Sequence, residues 1–183
     1  MDTTHYDADY YLRGKETGKS NYQDYRWCPD LTLPMADHLK RILHIKDGNT
    51  VYDVGCARGF LVKALRMRGV MASGYDTSEW AIQNADPEIR PYVSTCLNAP
   101  KLGWGHIIMK DVAEHVPLHD LQQLLGKLVA SARKNLLLIV PLSYQRGGPY
   151  IRDEDNSDPS HIHAWTLPDW ISLLEEFVPP STG

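Results

Sequence analysis

Residues 51–60 read Val51-Tyr52-Asp53-Val54-Gly55-Cys56-Ala57-Arg58-Gly59-Phe60, the most informative segment of this sequence. An apolar strand ends near an acid, a loop of small residues follows, and a helix opens directly at Phe60. Gly55 and Gly59 permit backbone conformations and a close ligand approach that a side chain would block, and Ala57 is nearly as small. The pattern is typical of a nucleotide-binding turn in an α/β protein.

The spacing of the glycines separates two kinds of cofactor. A dinucleotide pattern G-x-G-x-x-G that starts at Gly55 needs glycines at positions 57 and 60, where this chain has Ala57 and Phe60. The next strand ends at Asp76, which is 21 residues after Gly55 and close to the ~20 expected for a ribose-binding carboxylate. A carboxylate there accepts both ribose hydroxyls and repels a 2′-phosphate. The two signals predict a ligand that contains adenosine.

Short apolar strands alternate with helices in the rest of the chain, as in an α/β sheet. Strands are predicted at Thr50–Val54, Val70–Tyr75, Tyr92–Cys96, His106–Met109 and Asn135–Val140. Helices are predicted at Pro34–Leu43, with Pro34 in the first turn, and at Phe60–Arg68, Ser78–Ala85, Leu118–Ala132 and Pro168–Phe177. Right-handed crossovers then give a doubly wound, mostly parallel sheet with helices on both faces and a ligand crevice at its carboxyl ends.

The chain is expected to form one domain with three parts: an N-terminal arm or lid (1–49), a cofactor-binding core (50–142), and an acceptor loop with a C-terminal helix (143–183). Five of the ten tyrosines fall in the first 25 residues, which predicts a folded arm. The loop is expected at Ser143–Thr166. On it, His161 and His163 are expected to present both rings on one face of an extended segment.

Composition excludes several classes of protein. The 183 residues are 43% hydrophobic and 23% charged, as in globular domains, and the net charge of −4 without a basic run disfavours nucleic acid as a partner. Three separated cysteines suggest neither a disulfide framework nor a thiolate zinc site, and fit a reducing cytoplasm. The longest apolar stretch, Leu136 to Leu142, is too short to cross a membrane, and no secretory signal is visible.

Three motifs in this order resemble those of the class I S-adenosylmethionine-dependent methyltransferases, in an uncharacterised branch. They are the loop Asp53–Gly59, the acid Asp76, and Asp111-Val112-Ala113-Glu114-His115-Val116, which is similar to a D-x-x-E-H-V segment beside the catalytic crevice. The resemblance covers residues 50–140 well and implies a Rossmann-like fold. It further implies S-adenosyl-L-methionine as cofactor and a transferase activity.

The resemblance implies a role for each matching position. Asp53 and the backbone of Gly55, Cys56, Ala57 and Gly59 would hold the methionine part of the cofactor. Asp76 would hold the ribose, Thr77 would border the adenine, Cys96 and Leu97 would cover its other face, and Lys110 and Asp111 would face the crevice. Leu97-Asn98 departs from the family pattern, which commonly has an acid there. Aromatic faces of Tyr10, Tyr11 or Tyr22 could favour the cationic sulfonium.

Methyl transfer is an in-line displacement, so alignment alone supplies much of the catalysis. If the acceptor is a hydroxyl or an amine, a general base helps, and the candidates are Glu114, His115, His161 and His163, with Asp111 beside them. These residues, with His119 and Asp158, could approach a metal ion, but their spacing specifies no site, so no metal is predicted. The expected acceptor is a small polar molecule.

Two other classes of function remain open. One is a non-catalytic S-adenosylmethionine- or nucleoside-binding module of a larger assembly, and the other is a nicotinamide-dependent oxidoreductase, which the glycine spacing disfavours. Related enzymes usually end with an antiparallel strand pair, and Val178-Pro179-Pro180 cannot form a normal hairpin. We therefore expect a fragment or a pared-down variant whose exposed sheet edge a homodimer could cover.

Overall fold

The sheet is built around the predicted strand Thr50–Val54, whose last four residues are buried. A computed structural model describes residues 3–97 and 103–177, and these contain five parallel strands in the order β3-β2-β1-β4-β5. The strands are β1 (Thr50–Val54), β2 (Met71–Tyr75), β3 (Val93–Ser94), β4 (Trp104–Lys110) and β5 (Ala132–Ile139). Because β1 pairs with β2 on one side and β4 on the other, the winding reverses at this point. The predicted doubly wound sheet is confirmed.

Helices cover both faces of the sheet. They are α1 (Ala8–Leu12), α2 (Gly14–Thr17), α3 (Pro29–Ile42), α4 (Phe60–Met67), α5 (Glu79–Gln83), α6 (Leu118–Ser131) and α7 (Leu167–Glu175). Successive residues of a strand point to opposite faces, so Val51 packs in the core with α3 and α4 while Tyr52 packs with α6 and α7. On α6, four leucines are predicted to share one apolar face; Leu121, Leu125 and Leu128 are fully buried there and Leu124 is partly buried.

Most predicted elements are found with their ends shifted by a few residues, and the differences at α3 and β3 have a clear local cause. Helix α3 begins at Pro29, so Pro34 lies inside the helix and not in its first turn. Pro29 suits the first position, where a backbone N–H has no helical partner, and the helix tolerates the missing N–H of Pro34 further along. Strand β3 is shorter than predicted because a 3-10 turn occupies Arg90–Tyr92.

No antiparallel strand pair follows β5 within the described ranges; an isolated antiparallel bridge joins Ser143 to Tyr150. The expectation for Val178-Pro179-Pro180 falls outside the described residues. Among the helices that the structure describes, none combines the length and apolar character needed to span a membrane.

The N-terminal arm is folded against the core, as predicted. Tyr10 and Tyr11 are each 4% exposed, and the Tyr11 ring stacks on Trp80 with centroids 5.3 Å apart and an angle of 16° between the rings. Two hydrogen bonds fix the arm to the loops of the sheet: Ser78 Oγ donates to the Tyr6 carbonyl at 2.5 Å, and Arg58 donates to the Tyr25 carbonyl at 2.9 Å. The arm therefore forms a roof over the carboxyl ends of the strands.

Candidate functional site

A cavity of about 710 Å³ lies beneath this roof, at the carboxyl ends of β1, β2 and β4. Its volume is within the range of small-molecule sites, roughly 300–1,000 Å³. The walls include most of the predicted cofactor-binding residues: Asp53, Gly55, Cys56, Ala57, Asp76, Thr77, Lys110 and Tyr22. This cavity therefore lies at the winding reversal, where the sequence analysis expects the ligand crevice.

The loop after β1 is shaped by close packing within the chain. A Cβ on Gly55 would lie 2.0 Å from Val112 Cγ2, and one on Gly59 would lie 2.8 Å from Ile89 Cγ2. Gly59 does not line the cavity; with φ +75° it precedes the first turn of α4. Side chains of the protein itself therefore occupy the space that a Cβ at Gly55 or Gly59 would need. The sequence analysis attributes the two glycines instead to the close approach of a ligand.

Asp76 fixes the conformation of this loop. One carboxylate oxygen accepts the Ala57 N–H at 2.7 Å and the other accepts the Ser78 N–H at 2.8 Å. The first bond holds Ala57 in the left-handed region, at φ +47°, which other L-residues rarely adopt. Burial raises the pKa of Asp76, while the two backbone bonds oppose that shift. A carboxylate has about four lone-pair sites, so two remain for a ribose diol.

A second carboxylate, Asp53, lies at the end of β1 and is 4% exposed. Burial raises its pKa to about 7, and the positive charge of Lys110 opposes that shift. An ammonium group of a ligand near Asp53 would favour the ionised carboxylate. Asp53 is therefore suited to bind the ammonium group of an amino acid.

The roof of the cavity is aromatic. Five tyrosines of the arm line it: Tyr6, Tyr10, Tyr11, Tyr22 and Tyr25. Burial raises the pKa of Tyr6 to about 12, so this phenol is neutral at physiological pH. Neutral, electron-rich ring faces attract a cation, and a sulfonium is a cation. Tyr25 belongs to this wall although the sequence analysis gave it no ligand role; its only signal was the density of tyrosines in the arm.

A smaller cavity of about 520 Å³ adjoins the first. Residues of the arm and of the loop after β5 form its walls, and Tyr10 Oη donates to Asp158 Oδ2 at 3.4 Å across it. Six residues line both cavities: Tyr10, Tyr22, Lys110, Asp111, His115 and Arg152. The sequence analysis identified the loop that carries Arg152 but did not name Arg152 as a residue of the site.

Three of the predicted catalytic residues come together on the wall of the smaller cavity. Glu114 and His115 lie in the 3-10 turn after β4, and the Glu114 backbone carbonyl accepts the Ile162 N–H at 2.8 Å, which brings His161 beside them. Burial raises the pKa of Glu114 to about 8. Burial, and then the neighbouring His161, lower the pKa of His115 to about 4. Both histidine rings and the carboxylate face the same space.

The remaining predicted residues have other positions. Asp111 lies at the junction of the two cavities with φ +53°, a conformation that aspartate tolerates better than most residues. His163 lines neither cavity; it is 8% exposed, and its Nε2 lies 2.8 Å from the Val116 carbonyl. Its ring packs on Trp165, whereas His161 contacts His115, so the prediction that both rings share one face is wrong. Cys96 and Leu97 also lie outside both cavity walls.

The fold and the loop geometry define a class of proteins, the Rossmann-like methyltransferases. The sequence matches the methyltransferase domain family over residues 23–177, and the chain belongs to this family. The family and the fold agree with the resemblance to the class I S-adenosylmethionine-dependent methyltransferases. A comparison with curated protein sequences finds no match.

Solved structures share this fold at low sequence identity. A protein described as a methyltransferase from an antibiotic biosynthesis pathway of Anabaena variabilis aligns with a TM-score of 0.62 and 16% identity, over 79% of this chain and 60% of its own. Magnesium protoporphyrin IX methyltransferase from Synechocystis, with bound S-adenosylmethionine, gives 0.62 and 18%, over 97% and 86%. The [4+2]-cyclase SpnF gives 0.63 and 13%, over 87% and 60%. The chain thus spans less than two thirds of the first and third of these proteins.

Proposed function

We propose that the chain transfers a methyl group from S-adenosylmethionine, held in the larger cavity, to a small polar acceptor held in the smaller one. The proposal is supported by the wall that the two cavities share. Six residues line both cavities, so the cofactor and the acceptor would meet there. Two reactants held next to each other in the correct orientation react in an effectively unimolecular step, which lowers the entropic part of the barrier. The acceptor compartment combines the arm with the loop after β5, as the sequence analysis expected.

In this proposal Asp76 accepts the ribose hydroxyls with its two free lone pairs, and Thr77 borders the adenine. Asp53 and the backbone of Gly55, Cys56 and Ala57 hold the amino acid portion, with Lys110 beside them, and Gly59, which lies outside the cavity wall, is left out of this set. The neutral rings of Tyr10 and Tyr22, which line both cavities, lie where they favour the sulfonium. Cys96 and Leu97 lie outside the cavity walls, so their proposed contact with the adenine rests on the family resemblance alone.

When bound, S-adenosylmethionine supplies a methyl group on a positively charged sulfur. The carbon–sulfur bond breaks as a bond forms to an oxygen or nitrogen of the acceptor, and the sulfur keeps the electron pair as a neutral thioether. The acceptor then loses a proton. Asp111 and His115 line both cavities, so we propose that one of them takes up this proton. Because His163 lines neither cavity, we leave it out of the proposed catalytic set.

The charges around the smaller cavity favour one class of acceptor. Besides the buried Glu114, four acidic side chains line it, Asp111, Glu154, Asp155 and Asp158, against two cationic side chains, Lys110 and Arg152. An anionic acceptor would be repelled by this surplus. We therefore propose a neutral or cationic small molecule that carries a hydroxyl or an amine.

Calorimetric titration of the purified chain with S-adenosylmethionine and S-adenosylhomocysteine tests the cofactor site, with NADH as a control. We expect binding of the first two and none of NADH. Acceptors with hydroxyl or amine groups are then screened for a mass gain of one methyl group. Cofactor binding without turnover on any acceptor would instead favour a non-catalytic binding module.

We further propose that the arm (1–49), the core (50–142) and the acceptor region (143–183) act as one domain, since the cavities draw residues from all three. The homodimer stays a prediction. In the described part of the chain β5 is an edge strand that pairs with β4 alone, and edge strands present unpaired backbone groups. Size-exclusion chromatography with light scattering measures the molar mass in solution, which distinguishes a homodimer from a monomer.

A further inference from the structure

Three potential metal ligands converge on the wall of the smaller cavity. Glu114, His115 and His161 each offer one ligand atom, and these atoms lie within 4.8 Å of one another. Glu114 Oε1 lies 4.0 Å from His115 Nε2. The centroids of the two histidine rings are 4.7 Å apart. The three side chains therefore surround a common space that opens to the acceptor cavity.

The second observation concerns the hydrogen bonding of the Glu114 carboxylate. The residue is fully buried, and neither side-chain oxygen has a hydrogen-bond partner in the part of the chain that the structure describes. A buried carboxylate is strongly unfavourable unless it is paired, hydrogen-bonded or bound to a metal. This unsatisfied group is the second observation, independent of the clustering, that indicates a ligand at this position.

The hydrogen bonds of the two histidines leave both Nε2 atoms without a proton. His161 Nδ1 lies 2.9 Å from the Asp155 carbonyl oxygen, which can only accept, so this nitrogen carries the proton. His115 Nδ1 lies 3.2 Å from the Ser160 carbonyl and 2.9 Å from Ser160 Oγ, which itself donates to Asp158. In a neutral imidazole the other nitrogen then has a free lone pair. Metal-binding histidines are commonly oriented by such bonds from their second nitrogen.

We propose that Glu114, His115 and His161 bind one divalent transition-metal ion, with Zn²⁺ as the ion that suits the site best. Three inward-facing acceptors with no donor among them need a cation or a proton, and two imidazoles with a carboxylate are ligands that Zn²⁺ prefers. Ligand atoms around a tetrahedral zinc ion are about 3.4 Å apart, so the side chains close in by about an ångström on binding. Three protein ligands leave a further position open to the cavity.

The role of the ion rests on the proposed function. A hydroxyl or amine of the acceptor in the open position would be held beside His115, at the junction with the cofactor cavity. With its Nε2 engaged as a ligand, His115 would no longer accept a proton. Asp111, which lines both cavities, then remains as the group that takes the proton from the acceptor.

Zinc binding by the full chain tests the site directly. The protein is stripped of metal with a chelator, dialysed, and titrated with Zn²⁺ by calorimetry and with Co²⁺ by visible absorption. We expect one ion per chain. Glu114→Gln and His161→Ala should each weaken binding roughly tenfold or more, and Ser160→Ala, which keeps all three ligands, should weaken it by about 10–100-fold through the orientation of His115. His119→Ala, an exposed histidine on α6, is the matched control and should bind like the unaltered chain.

The proposal is overturned if the folded chain binds no Zn²⁺, or if the affinity is the same in the Glu114, His161 and Ser160 variants as in the control. Circular dichroism checks the fold of each variant, and Ser160→Ala keeps the test decisive if Glu114→Gln does not fold. S-adenosylmethionine titrated into the same metal-free protein separates the two proposals. Cofactor binding without metal binding removes the metal site alone, and the converse removes the proposed cofactor site alone.

Discussion

Replacement of Asp76 by asparagine tests the loop contacts that this carboxylate makes and its proposed contact with the ribose. The two carboxylate oxygens accept backbone N–H groups of Ala57 and Ser78 at 2.7 and 2.8 Å. An asparagine keeps one acceptor, and its NH₂ group turns toward the other backbone donor. That buried donor then loses its partner, which costs about 1–3 kcal/mol. Burial raises the pKa of Asp76, so loss of the charge offsets part of this, and we expect a net destabilisation of about 1 kcal/mol.

The effect on cofactor affinity should be larger than the effect on stability. A hydrogen bond to a charged group contributes roughly 1.5–3 kcal/mol, which corresponds to a loss of about 10- to 160-fold in affinity. Calorimetry with S-adenosylhomocysteine measures the affinity, and thermal unfolding measures the stability. Asp120→Asn, an exposed acid in the first turn of α6, is the control for the loss of one negative charge. A folded Asp76→Asn protein that binds as tightly as this control would refute the ribose contact.

Three further perturbations test the roof, the buried acid and the loop. Tyr11→Ala removes the ring stacked on Trp80 and should weaken docking of the arm by about 3 kcal/mol, seen as faster hydrogen exchange in the arm. Burial raises the pKa of Asp53 from 3.8 to about 7. The contribution of the protonated Asp53 to the free energy of unfolding is therefore complete below pH 3.8 and is lost as the pH rises through 7. In urea unfolding, the free energy of unfolding of Asp53→Asn should decline less between pH 5 and 8 than that of the unaltered chain. Gly55→Ala should destabilise the protein by about 1–3 kcal/mol more than Gly48→Ala in thermal unfolding, because both glycines have positive φ but Gly48 has open space around it.

Local patterns predicted the frame of the molecule. The bounds of β1 are those expected, because an apolar β-branched run between Asn49 and a glycine loop leaves little choice of register. The density of tyrosines predicted a folded arm, since aromatic rings need a surface to pack on. The start of α3 was missed because either Pro29 or Pro34 satisfies the rule for the first turn of a helix.

The site was predicted less completely because its geometry depends on contacts between distant segments. Glu114 and His161 meet through the bond between the Glu114 carbonyl and the Ile162 N–H, which no spacing rule contains. His161 contacts His115 whereas His163 packs on Trp165, and no spacing rule predicts these separate partners. The hydrogen bonds from the loop to Asp76 likewise involve backbone groups, which every residue carries and the sequence therefore does not distinguish.

The position of the arm determines when its contacts with the core can form during synthesis. Tyr10 contacts Asp158, so once the arm has been synthesised it has to wait for nearly 150 further residues before its partner exists. Contacts so distant along the chain form late, because a long loop must be closed before they contribute. The sheet can assemble earlier from neighbouring segments. A nascent chain would therefore carry a formed sheet with an open crevice and an undocked, tyrosine-rich segment, which is the period in which it is most exposed to aggregation.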